Sequence, residues 1–162
     1  MSLPPPPALI IGYGNLHRSD DALGLHAARL LAPRVDPHLV RIIALQQLTF
    51  DLAETISKVQ LCLLIDAAAS ATASDTPGEI RIRRILPDRN ATNPLHHHLP
   101  PESLLAFTLA LYHHVPLTLL FTVTAASFDH ALGLTPPVAA ALPTLVDQLV
   151  ATLHRELPAA QK

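Results

Sequence analysis

The sequence holds a single cysteine in 162 residues, Cys62, so it has no means of forming an intrachain disulfide or a thiolate metal cluster. Cys62 stands inside the apolar run 61-LCLLID-66, which predicts a buried thiol rather than a reactive one. No apolar run reaches the ~18 residues that span a bilayer. The longest stretches, around 59–73 and 115–127, contain Asp66 or are too short. A basic-then-apolar leader is also missing. The opening MSLPPPP reads as a stiff, solvated lead-in, so a cytoplasmic protein with no membrane partner is expected. Strong charge is lacking too. The formal net charge is −2 with neutral histidines, which gives no electrostatic basis for binding nucleic acid or an anionic surface. No Ser/His/Asp triad and no catalytic cysteine stands out, which disfavours a covalent intermediate.

What is present is a chain with a core. Hydrophobic residues make up 49%, too many for disorder. The length favours one domain, placed here at 8–157 between a proline-rich lead-in at 1–7 and a tail at 158–162. Short apolar runs at 8–11, 38–45, 60–66 and 116–124 read as strands, and 60–66, apolar on both faces, as a central one. Residues 79–85 (EIRIRRI) alternate, as an edge strand does. Helical patterns fall at 21–32, within 46–59, at about 101–114 and at about 138–156. The order β-α-β-α-β-β-α-β-α predicts a three-layer α/β/α sandwich around a roughly five-stranded, mostly parallel twisted sheet. Its helices can cover both sheet faces, so a monomer is expected.

The stretch 8-ALIIGYGNLHRSDDALGLHAARLLA-32 admits three readings. As a dinucleotide loop it has Gly12 and Gly14, but His17 stands where the third glycine belongs. The second strand ends Ala44-Leu45-Gln46 with no ribose-binding acid, and an acid pair at the helix start would repel phosphate. As an ordinary helix start, Ser19, Asp20 or Asp21 would cap the first helix. As a chemical site, the loop would bring a carboxylate to the carboxyl edge of the sheet, where Asp66 also ends its strand. The 95-LHHHL-99 segment lies on the same rim if the topology is regular. Two carboxylates and an imidazole suit a borderline divalent ion such as nickel or zinc.

Several stretches in register resemble one family. The loop 10-IIGYGNLHRSDDALG-24 is similar to the strand–G-x-G-N–acidic pair–x-x-Gly signature of the nickel–iron hydrogenase maturation endopeptidases. The segment 47-QLTFDLAE-54 resembles a Q-L-T-P-E-L-A-E form of the branch linked to bidirectional, NAD-coupled hydrogenases. The segments 63-LLIDA-67, 97-HHLPPESLL-105 and 132-LGLTPPVAAAL-142 match its remaining blocks, so that the likeness covers nearly all of 8–150.

The resemblance implies an endopeptidase that clips the C-terminal extension from a hydrogenase large-subunit precursor once nickel is inserted. It implies metal contacts at Asp21, Asp66 and His97, with His98 one residue out of register as the alternative ligand, and catalytic roles for the two aspartates. Asp21 is one methylene shorter than the glutamate relatives carry there. Gly14 and Asn15 would set the loop turn, with Gly14 at positive φ, and Gln47 and Thr49 would contact substrate or shape their loop. Nickel would arrive with the precursor, and zinc or cadmium could fill the site adventitiously. Two other classes stay open: a non-catalytic chaperone that checks for nickel, and a nucleotide-binding module resting on the Gly12-x-Gly14 loop.

Overall fold

Residues 8-ALIIGY-13 are apolar along their whole length, and in the computed structural model, which describes residues 6–91 and 98–157, they form a buried inner strand, β1 (Ala8–Tyr13). The chain continues through α1 (Leu23–Leu31), β2 (Val40–Leu45), α2 (Leu52–Ser57), β3 (Leu61–Ala68), β4 (Ile80–Arg84), α3 (Pro101–Tyr112), β5 (Leu117–Thr124) and α4 (Pro136–Glu156). This is the expected order of elements. The five strands lie in the order β2-β1-β3-β5-β4, with β3 central; all pairs are parallel except β4 with β5.

Alternation along the strands divides the core between two faces. Ala8, Ile10, Leu63, Ile65, Phe121 and Val123 pack with Leu23, Ala27 and Leu31 of α1 and Leu145, Leu149 and Leu153 of α4. Leu9, Ile11, Cys62, Leu64 and Leu120 pack with Leu52 and Ile56 of α2 and Leu104 and Leu105 of α3. Each fully buried side chain of this size contributes ~1.5–3 kcal/mol, and helices on both faces explain why β1, and β3 as far as Asp66, are apolar on both sides. Cys62 is buried as expected, and that burial pushes its thiol up to about 12. By length and composition, α4 is the one described helix that could cross a bilayer. It instead lays a stripe of Val138, Leu145, Val146, Leu149 and Leu153 against the sheet and α1.

The topology selects one place on the sheet. From β1 the chain moves outward to β2, then returns to β3 on the other side of β1. The crevice beyond the carboxyl ends of β1 and β3 is therefore the switch point, where open α/β sheets bind ligands.

Candidate functional site

The loop leaving β1 is shaped by close backbone approach. Gly14 has φ +145°, as expected, and a Cβ there would run into the main chain of Asp21. Its N–H donates to the Leu45 carbonyl at 3.1 Å, tying the loop to the end of β2. Asn15 donates its backbone N–H to an Asp21 carboxylate oxygen at 2.9 Å, and its own side-chain oxygen accepts the His17 N–H at 2.9 Å. The turn thus holds Asp21 in place.

The capping expectation fails. Ser19–Ala22 form a 3-10 turn ahead of α1, and neither this turn nor α1 has a side-chain cap. Asp20 is fully buried and turns to the loop after β5. It accepts the backbone N–H groups of Ala126 (2.8 Å), Ser127 (3.0 Å) and Thr135 (2.7 Å), and its oxygens lie 3.0 and 2.8 Å from the Thr135 hydroxyl. Ser19 sits at φ +51°, a conformation held by its N–H donating to the Ala131 carbonyl at 2.9 Å. Arg18 donates through Nε to the Phe128 carbonyl at 3.2 Å. The acidic loop and the loop at 126–135 are one clasped unit.

Asp66 lies two residues before the end of β3 rather than at its end. The β1–β3 register pairs Gly12 with Ile65, so the next pair on the α2/α3 face is Tyr13 with Asp66. Burial first, and then the negative charge of Asp21, push the Asp66 carboxyl up to about 7; the Ala67 N–H and the Tyr13 hydroxyl act in the opposite direction. Burial and the neighbouring Asp66 likewise hold the Tyr13 phenol well above its ordinary value.

Asp21 and Asp66 face one cleft of about 440 Å³. Gly14, Gln47 and His98 also line it, while Thr49 sits in an adjoining groove and Asn15 acts on the cleft only by holding Asp21. His97 lies outside the described residues. The cleft also contains residues that the sequence reading passed over. These are Tyr13, Arg83 and Phe128; Arg83 pairs with Glu102 of α3 at 2.8 Å. Strand alternation carried a signal for the Tyr13–Asp66 pair, because Tyr13 is in phase with Leu9 and Ile11 as Asp66 is with Cys62 and Leu64.

Among the described residues no three His, Cys, Asp or Glu side chains gather closely enough to hold a metal ion. The charge of Asp21 adds to the raised proton affinity of Asp66, and the two carboxylates form a partial donor set on which a divalent cation would relieve the repulsion. Oxygen donors with the His98 imidazole in the same cleft suit a borderline divalent ion better than a soft one.

The fold and cleft together define an open α/β protein with two carboxylates, Asp21 and Asp66, in a cleft at its switch point. Among solved structures it is similar to the hydrogenase maturating endopeptidase HybD from E. coli, with TM-score 0.70 and 25% identity over 91% of this chain and 92% of that one. It is also similar to the [NiFe] hydrogenase maturation protease HycI from Thermococcus kodakarensis KOD1, with TM-score 0.71 and 20% identity over 90% and 91% of the two chains. A hydrogenase 2 maturation peptidase from a Thaumarchaeota archaeon matches with TM-score 0.66 and 24% identity over 90% and 97%. These last two likenesses carry the fold alone. No protein-family model matches the chain, and no curated protein matches it.

Proposed function

We propose that this protein is an endopeptidase that removes the C-terminal extension of a nickel–iron hydrogenase large-subunit precursor after nickel insertion. One observation carries the reading: Asp21 and Asp66 converge in the switch-point cleft of a chain that is 25% identical, over 91% of its length, to a hydrogenase maturating endopeptidase.

Nickel enters as part of the substrate. Two mutually repelling carboxylates favour a precursor that carries a divalent cation over an empty one, so the cleft can tell the two apart. Asp21, Asp66 and either His97 or His98 are the donors in this reading, and the cation they meet would polarise the scissile carbonyl or acidify a water. Asp66, pushed up to about 7, changes protonation near neutrality, which suits a group that takes a proton from water and returns one to the leaving amine. Asp21 supplies a second carboxylate whose position the Asn15 N–H fixes. Zinc or cadmium would occupy the same donors in the free enzyme.

The 47-QLTFDLAE-54 segment supports a substrate from the bidirectional, NAD-coupled hydrogenases. Helices on both faces of the sheet support a monomer, and a nickel-processing role supports the cytoplasm. The test mixes the protein with nickel-loaded and nickel-free precursor and reads the mass of the large subunit. Loss of the C-terminal extension from the loaded form alone is expected. Tight binding with no loss of mass would instead make the protein a nickel-checking chaperone.

A further inference from the structure

Next to the cleft lies a groove of about 480 Å³ to which the proposed chemistry assigns no role. Its lining includes Ile43 and Leu45 of β2 and Thr49, Asp51 and Leu52 around the start of α2. Gln46 and Gln47 line both groove and cleft, so one surface runs from Asp66 to the side of β2. The β1–β2 register pairs Tyr13 with Leu45, which puts the groove on the same sheet face as the cleft.

Among the described strands, β2 is an edge strand that pairs with β1 alone. On the inner side, the Leu39 and Leu45 carbonyls accept the Ala8 and Gly14 N–H groups at 3.1 Å each. In a parallel ladder, alternate residues turn both backbone groups to the same side. Ile42 and Ala44 therefore point their N–H and C=O outward, where no described strand meets them. Proteins normally blunt such an edge with a bulge, a proline or several charges; 40-VRIIAL-45 has only Arg41.

We infer that this edge binds an extended segment of the substrate polypeptide as an added strand, with alternate side chains entering the groove. The inference rests on the endopeptidase reading, since a chain held for cleavage must pass the cleft in extended form. The backbone of Ile42 and Ala44 supplies sequence-independent bonds, and the groove selects the side chains. Ile43, Leu45 and Leu52 favour an apolar residue, and Asp51, the one ionisable group in the lining, favours a basic one. An added strand would sit three strand spacings from β3, ~14 Å. An extended chain covers that distance in about four residues, so the bound segment begins about four residues from the scissile bond.

Ala44→Pro removes an outward N–H while leaving the ladder to β1 intact. Thr49→Trp fills the groove without touching the strand. In assays with nickel-loaded precursor, each variant is expected to lower kcat/KM about tenfold, mainly through KM, the scale set by losing one or two net hydrogen bonds. Both should keep a wild-type melting temperature. In the wild-type protein, exchange of the Ile42 and Ala44 amides should slow when precursor is bound. Wild-type kcat/KM in both variants, or unchanged exchange at these amides in the complex, would overturn the inference. Failure of the wild-type protein to cut would instead strike the endopeptidase reading, and the exchange measurement would still report on the edge.

Discussion

Asp20 accepts the Thr135 backbone N–H at 2.7 Å across 115 residues of sequence, while its neighbour Asp21 turns the other way, into the cleft. Removing Asp20, itself fully buried, strands three part-buried backbone N–H donors, at ~1–3 kcal/mol each. Asp20→Ala is therefore expected to lower stability by about 3 kcal/mol or more. Asp21→Ala frees only the Asn15 N–H and should stay within about 1 kcal/mol. Urea denaturation measures both, and equal losses would contradict the division of labour.

Activity should show the opposite pattern. Asp21→Asn and Asp66→Asn keep the shape of the cleft but remove its carboxylates. Each is expected to reduce cleavage of nickel-loaded precursor about 100-fold or more, with little loss of fold. Separate His97→Ala and His98→Ala variants should differ sharply, the larger defect marking the imidazole that serves the site. Full activity in both aspartate variants would remove the case for a carboxylate site.

Asp66 makes stability depend on pH. Its folded pKa of about 7 lies above the ordinary 3.8, so protonation favours the folded state. The group's contribution is neutral below the unfolded value and becomes a penalty as pH rises towards and through 7, reaching up to ~4 kcal/mol. The metal-free protein should melt at a lower temperature at pH 8 than at pH 5.5. Asp66→Asn should remove part of that difference and raise the melting temperature at pH 8. Identical pH profiles for the two proteins would refute the assignment.

Tyr13 tunes the same group. Its hydroxyl acts to lower the Asp66 pKa, so Tyr13→Phe should move the midpoint of that pH dependence upward while the fold persists. Carboxyl titration of Asp66 by NMR would detect the shift, and a midpoint that moves down would show that the phenol acts otherwise.

Gly14→Ala adds a Cβ against the Asp21 main chain at φ +145°. A loss of ~1–3 kcal/mol is expected from the backbone strain. Cleavage should fall further than the stability loss explains, because the displaced residue is Asp21. Measuring activity at a temperature where the variant is fully folded separates the two effects.

The order of the nine elements, the central place of β3 and the edge place of β4 were readable from apolar runs, alternation and proline and glycine breaks, because these patterns report local conformation and burial directly. Asp66 could be singled out because a carboxylate after 61-LCLLI-65 has no helix to cap. The roles of Asp20 and Asp21 could not be read from the acid pair alone. Capping is a local bond, and Asp20 instead found donors at Ala126, Ser127 and Thr135, which only the folded chain brings near. The pairing of Tyr13 with Asp66, the Arg83–Glu102 contact at the rim and the open edge at Ile42 and Ala44 depend on strand order and register. The sequence by itself determined which segments are strands and helices and that carboxylates stand near the carboxyl edge of the sheet. Tertiary structure decided which carboxylate is buried as a clasp and which faces the cleft, because that choice depends on hydrogen-bond partners more than a hundred residues away.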